Sequence, residues 1–192
     1  RVEDVTLNPA SFADLSDFGM ADISELQHED NLGRLKMLTT EGNGGDDEYE
    51  EIHSFGARSI TIWDTDGNVV WDSGDIMEQV TAMYLPEDFN STNDENDTFK
   101  NRSDDKGPEP ENVVVGRAFG RQYAFVGLER VGGIMVFDIS DPANGRYVAY
   151  HNNRDFSAEN NEDGNLEGVD AGDLGPEGIA FIKAEDSPNG EP

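Results

Sequence analysis

Two short runs hold the residues best suited to chemistry. In DDKGPEPENVVVG (104–116), ionised side chains crowd the opening of an apolar run, and AGDLGPEGIAFI (171–182) repeats the order of acid, Gly-Pro-Glu and apolar run. Carboxylates held at the mouth of a rigid strand are what a hard cation takes, since Ca2+ or Mg2+ wants about six or more oxygens from Asp, Glu and carbonyls. The side chains that could build such a shell are Glu109, Glu111 and Glu177 from the two runs, Glu129 from a neighbouring turn, and Asp104, Asp105 and Asp173 from the loops before them. Arg58 and Arg130 bring guanidinium forks of the kind that grips a phosphate, and a metal beside them would neutralise charge and activate water. The competing reading is that Gly-Pro-Glu only stiffens a strand opening and that the acids are solvated.

Other candidates are narrower. NNEDGNLEGVDAGD (160–173) alternates oxygen-bearing residues at Asn161, Asp163, Asn165 and Glu167 like a calcium loop, but Glu167 comes too early for the closing bidentate ligand. DTDGN (64–68) starts like such a loop and reads better as a tight hairpin turn, by its Asp-Gly step. His28, His53 and His151 share no ligand spacing, and the absence of cysteine removes thiolate chemistry and zinc–sulfur sites. No serine sits in a nucleophile elbow. Asn90, Asn96 and Asn101 each begin an Asn-x-Ser/Thr triplet inside one loop. These would be glycan acceptors in a eukaryotic secreted protein, whereas in an asparagine-rich bacterial loop coincidence is the favoured reading.

The elements that must position these residues are strands. Runs at 34–40, 59–65, 68–74, 112–118, 122–129, 133–140, 146–152 and 178–184 are rich in β-branched and aromatic residues, and Gly, Asp, Asn or Pro punctuates the gaps. A short helix is expected near the N-terminus, where Asn8 could cap and Pro9 could start it. Residues 86–111 and 152–176 read as long acidic loops, of the kind that are functional or disordered.

Acidic residues outnumber basic ones 42 to 13 over 192 residues, for a formal net charge of −29. Such a surface repels nucleic acid and anionic membranes and favours cations, so no nucleic-acid partner is expected. No run is long and apolar enough to span a membrane, so no membrane insertion is expected either. The chain opens on Arg1 rather than Met, so an upstream segment is expected to have been removed.

An internal repeat organises the strands. RSITIWDTDGNVVWDSG (58–74) aligns with GGIMVFDISDPANGRYVAY (132–150), and the two Gly-Pro-Glu runs recur at nearly the same interval. The repeating unit is four antiparallel strands with a long acidic loop, which is the blade of a β-propeller. The predicted fold is therefore all-β, part of a propeller with about two blades. An N-terminal segment (1–32) precedes an incomplete propeller (33–192), with blades at about 33–75 and 109–151 and the first strand of the next at about 177–184. Closure needs roughly 4–8 blades, so the rest must come from the same precursor or from another chain. On this plan Glu109, Glu111 and Glu177 stand at neighbouring inner-strand openings, Arg58, Glu129 and Arg130 share their face, and Asp104, Asp105, Asp155, Asp170 and Asp173 fold over it.

The runs LGRLKMLTTEGNG, FGARSITIWDTDGNVVWDSGD, NRSDDKGPEPENVVVG, YAFVGLERVGGIMVFDISDP and DAGDLGPEGIAFIKAEDSPNG, in this order over about residues 31–190, resemble the choice-of-anchor I family. These are exported β-propeller relatives of the mesenchyme-specific cell-surface glycoproteins, often labelled alkaline-phosphatase-like. The resemblance implies export, a secreted or cell-surface location and a calcium-friendly propeller. Where members of the family carry an Asp-rich, calcium-loop-like run, glycines interrupt the acids of EGNGGDDEYEE (41–51). The leading expectation is a secreted or cell-surface calcium-binding module. The alternative is a metal-dependent phosphoesterase on the Glu109/Glu177 face, with a phosphate-bearing small molecule held by Arg58 and Arg130. A third is a scaffold whose acidity serves solubility in salt.

Overall fold

No apolar period in the first fifty residues lasts long enough to build a large element, and the N-terminal part folds accordingly. The computed structural model describes residues 1–192. Its contacts divide the chain into two compact units, Arg1–Ala57 with Ser103–Lys106, and Arg58–Arg102 with Gly107–Pro192.

The first unit holds strand β1 (Thr6–Leu7), the one-turn helix α1 (Ile23–Leu26) and strand β2 (Glu48–Tyr49), with 3-10 turns at Val2–Asp4 and Ser16–Phe18. β1 and β2 pair in parallel. Val2, Leu7, Leu15, Leu26, Met37 and Tyr49 bury their side chains together as its core. α1 starts at Asp22, whose carboxylate accepts the Glu25 N–H at 3.1 Å. Asn8 makes the bond of a cap, its side-chain oxygen taking the Ala10 N–H (2.9 Å), and its carbonyl takes the N–H groups of Ser11 (3.1 Å) and Phe12 (3.3 Å), but the chain closes a turn there and does not go on into a helix. The run at 34–40, read as a strand, contributes one isolated bridge, Met37 to Ser54. Met37 and Tyr49 are buried with the N-terminal residues, inside the unit whose first segment ends at Ala57.

The second unit is built on alternation. Strands β3 (Thr61–Trp63) and β4 (Val69–Asp72) form a hairpin whose Asp64 carboxylate accepts the N–H groups of Asp66 (2.9 Å) and Asn68 (2.8 Å). Helix α2 (Ile76–Tyr84) follows, and then a four-stranded antiparallel meander in sequence order, β5 (Pro110–Ala118), β6 (Arg121–Leu128), β7 (Ile134–Asp138) and β8 (Arg146–His151). Phe119 and Gly120 both take positive φ, the geometry that matches a two-residue hairpin to the strand twist. One such sheet is one propeller blade, and the β3–β4 hairpin corresponds to β7–β8 as the repeat predicts.

The core lies on one face of this sheet. Ala124, Val126 and Leu128 of β6 and Met135 and Phe137 of β7 bury themselves against Met77 and Val80 of α2. Each large apolar side chain removed from water in this way contributes about 1.5–3 kcal/mol. Trp71 of β4 packs edge-on to Phe137, with ring centroids 5.9 Å apart, so the hairpin stacks on the blade through aromatic rings. The run at 178–184, read as an inner strand, joins no ladder; Phe181 stacks on Phe125 instead, with centroids 5.7 Å apart.

Candidate functional site

The first Gly-Pro-Glu, Gly107–Glu109, is held at the top of β5 by the turn after β6. The Glu129 N–H donates to the Glu109 carbonyl (2.9 Å) and the Arg130 N–H to that of Pro108 (3.4 Å). Gly107 has φ +64°, a left-handed backbone that favours glycine, and a Cβ there would come within 2.9 Å of the flexible end of Glu78, Oε1. Glu109 itself has φ +53°, a strained backbone for a residue with a side chain. That strain fits a side chain fixed by strong partners. Glu109 is only 4% exposed. Its Oε1 accepts Arg102 Nη2 at 2.6 Å and faces Arg130 Nε at 3.4 Å.

Arg130 extends the cluster, pairing with Glu129 Oε1 (3.0 Å) and donating from Nη1 to Asn93 Oδ1 (2.8 Å). Glu129 is buried and hydrogen-bonded to Glu111. Burial pushes its carboxyl up to about 7; the bond to Glu111 and the charges of Glu111 and Glu109 push the same way, while Arg130 pulls it down. Glu129 and Glu111 beside Glu109, Arg102 and Arg130 make a compact ionic knot. The second Gly-Pro-Glu touches the same turn. Gly175 lies so close to the Glu129 carbonyl that no side chain fits, and Asn112 Nδ2 of β5 donates to the Pro176 carbonyl (2.8 Å).

Glu109, Glu111, Glu129 and Arg130 thus come together. Arg58 pairs instead with Glu78 of α2, Nη1 to Oε1 at 2.8 Å. Glu177 is exposed. Asp173 accepts from Asn153 Nδ2 (2.7 Å) and borders a cleft of ≈ 490 Å³ with His151, Leu174 and Pro176. Asp163 is exposed in a loop folded around Asn161, whose Oδ1 accepts the N–H groups of Asp163 (2.9 Å) and Asn165 (3.1 Å). Asp104 and Asp105 belong to the first unit, where they pair with Arg34 (3.2 Å) and Lys36 (2.7 Å). No group of three or more acid or histidine side chains converges with the spacing that would hold a metal ion.

Sequence reasoning missed the partners that order the loops. Arg154, 6% exposed, donates to the carbonyls of Thr92 (2.7 Å) and Glu95 (2.7 Å) and to Asn96 Oδ1 (2.9 Å). It lies over the Phe156 ring, 4.5 Å from its centroid. This one guanidinium ties the loop after α2 to the loop after β8. The only sequence signal was an arginine inside an otherwise acidic run.

The sequence profile of the choice-of-anchor I domain matches residues 2–142. Gigasin-3a of Magallana gigas is 36% identical over 123 residues, 62% of this chain and 43% of that protein. The mesenchyme-specific cell surface glycoprotein of Strongylocentrotus purpuratus is 30% identical over 130 residues, 60% of this chain and 17% of that protein. The chain therefore spans less than half the length of either relative. No solved structure matches it.

Proposed function

The chain belongs to the choice-of-anchor I domain family, and from that membership we propose that it is a secreted or surface-associated binding and structural module that takes up calcium. The observation carrying this reading is where Arg58 and Arg130 direct their guanidiniums. Arg58 engages Glu78, and Arg130 engages Asn93, Glu109 and Glu129. Groups that brace loops in this way are poor receivers for a phosphate, which weighs against the phosphoesterase alternative. One of the matched relatives is itself a cell surface glycoprotein, which fits a module working outside the membrane.

Glu111 and Glu129 are the carboxylates best prepared for a cation. Glu109 already faces two guanidiniums, whereas Glu129, raised to about 7 by burial and by its neighbour Glu111, keeps a proton that a divalent ion would replace. Two carboxylates supply up to about four oxygens, and carbonyls or water would complete the shell. Calorimetric titration with Ca2+ at pH 6, in two buffers of different ionisation enthalpy, tests the assignment. The expected result is saturable binding with proton release, abolished in Glu111→Gln and retained in Glu177→Gln. Absence of saturable binding overturns the calcium reading. Hydrolysis of p-nitrophenyl phosphate that is lost in Arg58→Ala and Arg130→Ala would restore the phosphoesterase.

A further inference from the structure

The three Asn-x-Ser/Thr triplets are identical by motif, and the fold separates them. Asn90 is 1% exposed, and its Nδ2 donates to Glu78 Oε1 (2.9 Å), the oxygen that also takes Arg58. Asn96 is 3% exposed. Both of its amide hydrogens are engaged, with the carbonyls of Asp155 (3.1 Å) and Ala158 (2.8 Å), and its Oδ1 accepts from the buried Arg154. A sugar on either nitrogen would displace these bonds and need space the interior lacks. Asn101 differs on each count. It is exposed, it lies in a turn closed by its own N–H to the Thr98 carbonyl (2.9 Å), and its side-chain amide makes no hydrogen bond within the protein.

We infer that Asn101 is an acceptor site for an N-linked glycan in this chain, and that the fold withholds Asn90 and Asn96 from the same modification. The donor class is a polyprenyl-diphosphate oligosaccharide. Asn101 Nδ2 attacks the anomeric carbon, the glycosyl–phosphate bond breaks, polyprenyl diphosphate leaves, and the amide proton passes to the transferase's base. Ser103 completes the triplet that the transferase reads. The attached sugar stands on the exposed side of the loop whose other asparagines knit the interior, next to Arg102, which holds Glu109 in the ionic knot.

The test uses the folded chain made in a bacterial cytoplasm. It is incubated with a single-subunit oligosaccharyltransferase and a polyprenyl-diphosphate oligosaccharide, and sites are mapped by mass spectrometry of peptides. A synthetic peptide covering residues 86–106 serves as the unfolded control. The expected result is one glycan on the folded chain, at Asn101, lost in Asn101→Gln and in Ser103→Ala, while the peptide is modified at all three positions. An unmodified Asn101 in the folded chain overturns the proposal. So does modification of folded Asn90 or Asn96 at a rate comparable with Asn101.

Discussion

The two Gly-Pro-Glu runs carry the same three residues and use them oppositely. In the first, the glutamate is the load: Glu109 is buried, strained in φ and clasped between Arg102 and Arg130. In the second the glutamate is exposed, and the glycine and proline do the holding, Gly175 against the Glu129 carbonyl and Pro176 through its carbonyl to Asn112. Both meet at one turn, residues 129–133, so a single short loop reads one motif by charge and the other by shape. A tripeptide is thus a backbone device first, and its acid becomes a site only where arginines arrive to meet it.

The largest effect is expected where that difference is broken. Glu109→Gln leaves two guanidiniums facing a neutral amide and should lower stability by about 3–5 kcal/mol in urea denaturation. Glu177→Gln, the same change in the second copy, should move it by less than about 0.5 kcal/mol. Equal losses would mean that the two glutamates are equivalent after all.

Next comes the shape side of the comparison. Gly175→Ala forces a methyl onto the Glu129 carbonyl and should cost about 1–3 kcal/mol. Gly107→Ala should cost about 1–2 kcal/mol, from its φ of +64°, while the Glu78 and Arg58 side chains yield to the methyl. If the order of these two losses reverses, the first copy depends on backbone shape more than the second.

The smallest effect is conditional on pH. The Glu129 carboxyl, raised from 4.5 to about 7, keeps its proton in the folded state where the unfolded chain has released it. Its contribution to stability therefore falls as pH rises from about 4.5 to 7 and stays lost above that. Glu129→Gln should be stabilising by about 1–3 kcal/mol at pH 8 and close to neutral at pH 4, as read from melting curves across pH. Added calcium should narrow the gap at pH 8 by adding to the positive charge that Arg130 supplies to ionised Glu129.

How much of this was legible in the sequence follows from physics. The runs at 112–118, 122–129, 133–140 and 146–152 alternate strongly between Gly- and Asp-rich turns, and all four became β5–β8. Helix α2 was missed because Ile76–Tyr84 is only nine residues, with its buried Met77, Val80 and Thr81 at helical spacing as the sole signal. The run at 178–184 has strand composition but no strand alongside to share hydrogen bonds, and pairing rather than propensity decides a strand. In the site, the convergence of Glu109, Glu111, Glu129 and Arg130 followed from strand order. The roles of Glu78, Asn90, Asn96, Arg102 and Arg154 did not, because composition cannot tell a buried amide or guanidinium from a solvated one.

The hairpin stacked on the blade gives the molecule an optical gauge of its own. Of its two tryptophans, Trp63 is 60% exposed and will emit as indole does in water. Trp71 lies edge-on to Phe137, with Gly145 close against its ring, and will emit to the blue. A Trp63→Phe chain would therefore fluoresce only from the seam between β3–β4 and the four-stranded sheet. Its colour and lifetime would report, without any attached label, whether consecutive repeats are docked or have come apart.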